Sequence, residues 1–419
     1  MPSNSMIRLI TLAPQGNQKI KWVREHMPIL RQLEEEFSIT RVFEDKNIVL
    51  RLHIEATTAN LAIMLRRAGA NVCLVEADPL TTQDDVAAAL SEEGIRVLGQ
   101  YGSNLEEHKK YQKEILKCKP HVIVDSGAIL TKQLHEESAE YAENFIGTSE
   151  ESITGVRRLE VMYEKKQLKY PVLAVNCSVS KHIFEDIHGT GQSVWSSITY
   201  TTNILVGGKT VVVIGYGWCG RGIAKVARGL GARVIVCELD PVRASEAMLK
   251  GFQVMPVVEA VKRGDYIVTA TGNKEVINKE HLPYFKNRAI LVNAGHSDVE
   301  IDKSALEEEA IKTKEVANNI RQYKFKDDRK VFLIAEGRVV NSASGDGQPA
   351  EVMDIGFAIH ALAIKHLIEC GEKCKAEVIK MPIELDQYVT DLYLETKGID
   401  KDSMSGLQQQ KSYWSDFTY

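Results

Sequence analysis

"VVVIGYGWCGRG", Val211 to Gly222, begins as an apolar, β-branched run and breaks into glycines at Gly215, Gly217 and Gly220. The run has the make-up of a buried strand. The glycines are spaced G-x-G-x-x-G and open "CGRGIAKVARGLG" (219–231), a helical pattern. Strand, glycine turn and helix in succession are the context in which this spacing holds a dinucleotide. Gly215 permits the tight turn, Gly217 lets backbone approach a pyrophosphate, and Gly220 lets helix pack on strand. The helix N-terminus then attracts the phosphate charge. The alternative is a tight βα turn with no ligand. A second strand, "ARVIVCELDP" (232–241), ends at Glu238. A carboxylate about twenty residues past the turn accepts hydrogen bonds from ribose hydroxyls and repels a 2′-phosphate, which favours NAD. Arg243 follows closely and softens that preference.

Two more apolar strands, "GDYIVTATG" (264–272) and "RAILVNAGH" (288–296), each end in glycine and small polar residues. Ligands in open α/β sheets sit at such carboxyl ends, so Thr271 is read as cofactor-binding. Upstream, "NIVLRLHI" (47–54), "NVCLVEA" (71–77) and "HVIVDSG" (121–127) read as strands, and "TTANLAIMLRRAGA" (57–70) as a helix. Alternating strands and helices predict parallel α/β sheets. The predicted architecture is a Rossmann-type NAD domain inserted into a second parallel α/β substrate domain, with a C-terminal tail. Residues 1–190 and 343–385 are assigned to the substrate domain, 191–342 to the NAD domain and 386–419 to a tail for oligomer contact.

At 419 residues the chain exceeds a single core. With 52 basic and 57 acidic residues the net charge is −5, and no basic block invites nucleic acid. The opening "MPSNSMIRLITLAPQ" lacks the charged and apolar regions of a signal peptide, and no apolar run reaches a membrane span. The cysteines are odd in number and scattered, which suits a reducing cytoplasm better than a disulfide framework. Cys370 and Cys374 lack further ligands at a metal spacing, so no metal is expected.

Five further stretches surround the glycine turn in order: "ADPLTTQDDVAAAL" (77–90), "GTSEESITGVRRL" (147–159), "VNCSVSKHIFEDIHGTGQS" (175–193), "ELDP" (238–241) and "NAGHSDVEID" (293–302). Together they resemble the S-adenosyl-L-homocysteine hydrolases over about residues 45–360. The resemblance implies that NAD is regenerated in each cycle. It oxidises a ribose 3′-hydroxyl, the acidified C4′ proton leaves, the 5′ substituent is eliminated, water adds and the hydride returns. It also implies roles. Lys181 matches the lysine beside the 3′-hydroxyl, where a desolvated amine acts as base; a surface loop lysine is the alternative. Glu151 matches the glutamate that grips the ribose hydroxyls, although an acid there also suits a helix first turn. His53 and His296 match the histidines near the 5′ position, and Thr154 and Asn341 match cofactor contacts.

The departures lie mostly on the substrate side. Ser126, in "VDSG", stands where the family has an aspartate, and a hydroxyl cannot replace a carboxylate base. Asp125 is one position earlier, where a strand points its side chain the other way. Glu185 and Asp186 stand for the family's aspartate and asparagine. Glu55 and Thr57 stand for a threonine and an acid or amide near the base. Gln348 replaces a histidine, and Trp414 falls where the family tail carries a lysine to a neighbour's NAD. Retained 3′ redox chemistry on a small nucleoside substrate is expected, in a homo-oligomer kept together partly by Phe417 and Tyr419. The alternatives are a nucleoside lyase or dehydratase that diverts the enone, and a non-catalytic NAD-binding regulator.

Overall fold

The computed structural model describes residues 4–295 and 298–402. His296, Trp414, Phe417 and Tyr419 lie outside the described residues. Two sheets organise the chain. The first contains β1 (Asn47–Leu52), β2 (Asn71–Glu76), β3 (Arg96–Leu98), β4 (Val122–Asp125), β5 (Gly147–Glu150), β6 (Val172–Ala174) and, from much later in the chain, a last strand Val378–Lys380. Every pairing within it is parallel, in the order last strand, β6, β5, β4, β1, β2, β3. The second contains β7 (Thr210–Ile214), β8 (Arg233–Cys237), β9 (Gln253–Val254), β10 (Tyr266–Thr269), β11 (Ala289–Asn293), β12 (Lys312–Ala317), β13 (Ile320–Lys324) and β14 (Lys330–Ile334). Its order is β12-β13-β14-β11-β10-β7-β8-β9, parallel except for the antiparallel β12–β13 and β13–β14 pairs. The strand Val378–Lys380, now β15, returns to the first sheet beside β6, so the second unit is inserted in the first.

The inner strands are apolar because both of their faces are covered. The first core joins β1, β2 and β4 to the helices Pro28–Thr40, Ala56–Arg67 and Ala350–Cys370. The helix Ile383–Thr396 also packs there, with Val389 and Leu392 buried. Residues 386–396, expected in the tail, therefore pack with their own chain, because that helix has an apolar stripe to cover. Cys73 on β2 and Cys118 are joined as a disulfide with Cα atoms 7.2 Å apart. Folding brings together two cysteines that sit 45 residues apart. Among the described residues no helix is long and apolar enough to cross a membrane.

Candidate active site

Both sheets present their carboxyl ends to one cavity of about 600 Å³. On the first sheet His53 and Glu55 follow β1, Ser126 follows β4 and Glu151 follows β5. On the second sheet Gly217 follows β7 and Thr271 follows β10, neighbours at the point where strand order reverses.

Lys181 enters from a segment whose local geometry matters. Residues His182–Gly189 form a π-helix between a short helix, Val179–Lys181, and the helix Thr190–Thr202. The wider turn brings both the fourth and the fifth residue onward beneath a side chain. Lys181 Nζ thus lies 2.9 Å from Glu185 Oε1 and 3.6 Å from Asp186 Oδ1. Asp186 Oδ2 lies 2.7 Å from His182 Nδ1. Burial pulls the Lys181 ammonium toward neutrality, but Glu185, Asp186 and Glu151 outweigh it and hold its pKa above the ordinary lysine value. Lys181 rests as a cation, then, rather than as the free amine base expected from desolvation. Burial raises Glu185 above the usual carboxylate range despite Lys181.

Glu151 lines the cavity with Ser126, and burial with the charge of Glu185 pushes it up to about 7, although Lys181 and Ser126 lower it. Asp125 faces away from the cavity, as alternation predicts: its Oδ2 accepts from Thr131 N and Oγ1 at 2.8 and 2.9 Å. His53 Nδ1 is 2.7 Å from Thr81 Oγ1, whose own proton goes to the Asp78 carbonyl. His53 therefore carries its proton on Nδ1 and keeps a lone pair on Nε2. Burial holds it below the ordinary histidine range, so the ring is neutral.

At the other end, Glu55 and Gln348 line the cavity. Burial pushes Glu55 up to about 8, against the lowering hydrogen bond from Thr57. Thr57 stands behind it, donating to Glu55 Oε1 at 2.8 Å, and is not among the residues that line this cavity. Gln348 Nε2 donates to Thr190 Oγ1 at 2.9 Å.

The dinucleotide side is built as the glycine turn predicts. Gly215 has φ 95°, a conformation that favours glycine. A Cβ on Gly222 would lie 2.0 Å from the Ile187 carbonyl oxygen. That close approach seats the helix Trp218–Gly229 on the segment that carries Lys181. Gly220, buried in the first turn of this helix, packs against the Gly215 carbonyl. Glu238 Oε2 accepts from Tyr216 N at 2.7 Å, which places the carboxylate across the turn. Arg243 and Thr154 line the cavity, as does Asn341, whose buried Oδ1 has no hydrogen-bond partner among the described residues. The turn, the helix N-terminus and this unpaired acceptor fit a dinucleotide.

Several residues here had no assigned role. Glu300 accepts from Thr271 N, Gly272 N and Thr271 Oγ1 at 3.0, 2.8 and 2.9 Å and so shapes the loop after β10. Trp218 is stacked on His182, ring centroids 4.7 Å apart at 12°, with Arg221 4.6 Å over its ring. An aromatic one residue past Gly217, and an acid inside "NAGHSDVEID", were the available signals.

The arrangement offers a cation ringed by carboxylates, a neutral imidazole and a dinucleotide cradle facing one space. Comparison with known proteins agrees with it. Residues 4–145 match the S-adenosyl-L-homocysteine hydrolase family and residues 186–347 its NAD binding domain. The adenosylhomocysteinase of Pyrococcus abyssi is 44% identical over 411 residues, 98% of this chain and 97% of that protein. The S-inosyl-L-homocysteine hydrolase of Methanopyrus kandleri is 45% identical over 405 residues, 96% of each chain. That of Methanocaldococcus jannaschii is 43% identical over 411 residues, 98% of each chain. With its glycine turn, Lys181 and their shared cavity in place, the chain belongs to the S-adenosyl-L-homocysteine hydrolase family and is an enzyme that uses NAD.

Proposed function

We propose that the enzyme cleaves a purine nucleoside carrying a thioether at its 5′ carbon, S-adenosylhomocysteine or its inosine counterpart. The observation that carries this reading is that buried Lys181, with Glu185 and Asp186, shares a cavity with Gly217 and Thr271. The chemistry NAD supplies when bound is reversible acceptance of a hydride from the ribose 3′ carbon. Lys181 donates to the 3′ oxygen. As the hydroxyl proton reaches Nζ, an ammonium proton passes to Glu185 Oε1 across their 2.9 Å hydrogen bond. His53 Nε2 takes a proton from the water that adds at C5′. Glu55 and Gln348 face the base; Glu238 and Arg243 would hold the adenosine half of NAD, and Thr154 and Asn341 the rest. Relatives carrying the two substrate names support either base.

Assembly as a homo-oligomer is part of this reading. It is supported by exposed Leu239, Val242, Met248 and Leu249 on the second unit, and analytical ultracentrifugation tests it.

The deciding experiment mixes NAD-loaded protein with adenosine or inosine and follows reduced-nicotinamide absorbance. Homocysteine release from the matching thioether is then measured. Reduction with one nucleoside and release of thiol are expected. Lys181→Ala should bind NAD yet lose reduction by about 10²-fold or more. Thiol released with an unsaturated nucleoside, in place of the hydrated one, would replace hydrolysis by a lyase reaction. Normal reduction in Lys181→Ala, or none with any purine nucleoside in the native enzyme, would refute the reading.

A further inference from the structure

Elimination requires a base for the C4′ proton, and this chain has Ser126 where an aspartate was expected. A neutral hydroxyl is far too weak for that step. Among the described residues four carboxylates line the cavity: Glu55, Glu151, Glu185 and Asp186. Glu185 and Asp186 are engaged with Lys181 and His182. Glu55 is bonded to Thr57. Asp125, though adjacent in sequence, is committed to Thr131.

Glu151 remains, and the sheet sets it beside the vacant position. In the β4–β5 register Asp125 faces Glu150, so residues 126 and 151 continue that pairing one step beyond. Side chains of such cross-strand neighbours share a face. Both ends are pinned. Arg51 Nη1 donates to the Ser126 carbonyl. Glu150 accepts from Gly127 N and Ala128 N, each at 2.9 Å. Glu151 N donates to the Asp125 carbonyl at 3.0 Å. Ser126 and Glu151 line the same cavity, where the serine side chain lowers the Glu151 carboxyl against the burial that raises it.

We propose that Glu151 is the catalytic base at C4′, with Ser126 a positioning residue that aims its carboxylate. The inference rests on the functional reading above. Once the 3′ carbon is a ketone, the C4′–H bond breaks and its proton goes to a Glu151 oxygen. The electron pair enters the enolate of the 3′ carbonyl. It then forms the C4′–C5′ double bond as the C5′–S bond breaks and the thiolate leaves with the sulfur pair. Addition of water reverses these steps, and Glu151 returns the proton to C4′. Held near 7, the carboxyl can both take and return a proton at neutral pH.

The test follows two signals in one sample of NAD-loaded enzyme with nucleoside in deuterium oxide: nicotinamide absorbance, and deuterium at C4′ by NMR. Glu151→Gln should keep nicotinamide reduction within about tenfold, which also reports a folded site, and lose C4′ exchange by about 10²-fold or more. Adding Ser126→Asp to Glu151→Gln should restore exchange at least tenfold, on the order of a single general-base contribution. Exchange at the native rate in Glu151→Gln overturns the proposal. So does loss of reduction and exchange together with no rescue by Ser126→Asp, which would place Glu151 at the 3′ step. Native enzyme that never reduces its nicotinamide would sink the functional reading itself and this proposal with it.

Discussion

Glu185 reaches Lys181 because residue 356 has no side chain. A Cβ on Gly356 would stand 2.9 Å from Glu185 Oε2, an oxygen that is buried and without a hydrogen-bond partner among the described residues. The glutamate is one methylene longer than the expected aspartate, and the helix Ala350–Cys370 yields the space on the face toward the π-helical turn. Gly356→Ala should therefore separate stability from activity. Alanine favours a helix interior by up to about 1 kcal/mol over glycine. The contact falls on the movable end of a side chain, so the carboxylate shifts while the backbone stays. The expected outcome is an unchanged or slightly raised melting temperature with nicotinamide reduction slowed about tenfold or more. A fall in stability with native reduction would contradict the fit.

How far this site was legible in the sequence depends on the range of the signal. The β7 turn and its helix could be read because glycine spacing and a β-branched run are local. Alternation along β4 correctly turned Asp125 away. The π-helix at His182–Gly189 left no such mark, since "HIFEDIHG" has no proline and the close seat of its Ile187 on Gly222 comes from the fold. Without it, Glu185 and Asp186 would not both meet Lys181, and the lysine was consequently read as a free base. Thr57 is set near the base by the family resemblance alone; in the folded chain it donates to Glu55. The disulfide and the antiparallel β12–β13–β14 edge join residues through the fold, where single-chain patterning has no purchase.

Thr81 sets the tautomer of His53. Its hydroxyl gives its proton to the Asp78 carbonyl at 2.9 Å and accepts from His53 Nδ1 at 2.7 Å. Thr81→Val keeps the shape and removes the acceptor, so the imidazole loses its preference for a lone pair on Nε2. The oxidation at the 3′ carbon does not draw on His53 and should persist. Steps at C5′ should slow by about 10- to 100-fold. Rapid-quench measurement of thiol release alongside nicotinamide absorbance checks this: reduction at the native rate with slow release is expected. Loss of both signals would place Thr81 elsewhere in the mechanism.

Glu55 supplies a prediction about pH. It is buried, no cation is hydrogen-bonded to it among the described residues, and its pKa rises from 4.5 to about 8. A carboxyl raised in the folded state favours the fold when protonated. That contribution is full below about pH 4.5, the unfolded value, and is lost as pH rises through about 8. The native protein should therefore lose melting temperature between pH 5 and 9 through this group, and Glu55→Gln should lose less. The neutral acid also offers one donor and one acceptor, the pattern complementary to the N1 and N6 edge of adenine, and glutamine offers the same pair. Calorimetric binding of adenosine should accordingly weaken above about pH 8 in the native enzyme and stay level in Glu55→Gln. If both proteins show the same pH dependence of melting and binding, Glu55 is ionised throughout and the base is read by a carboxylate, a pattern that suits the N1–H of hypoxanthine instead.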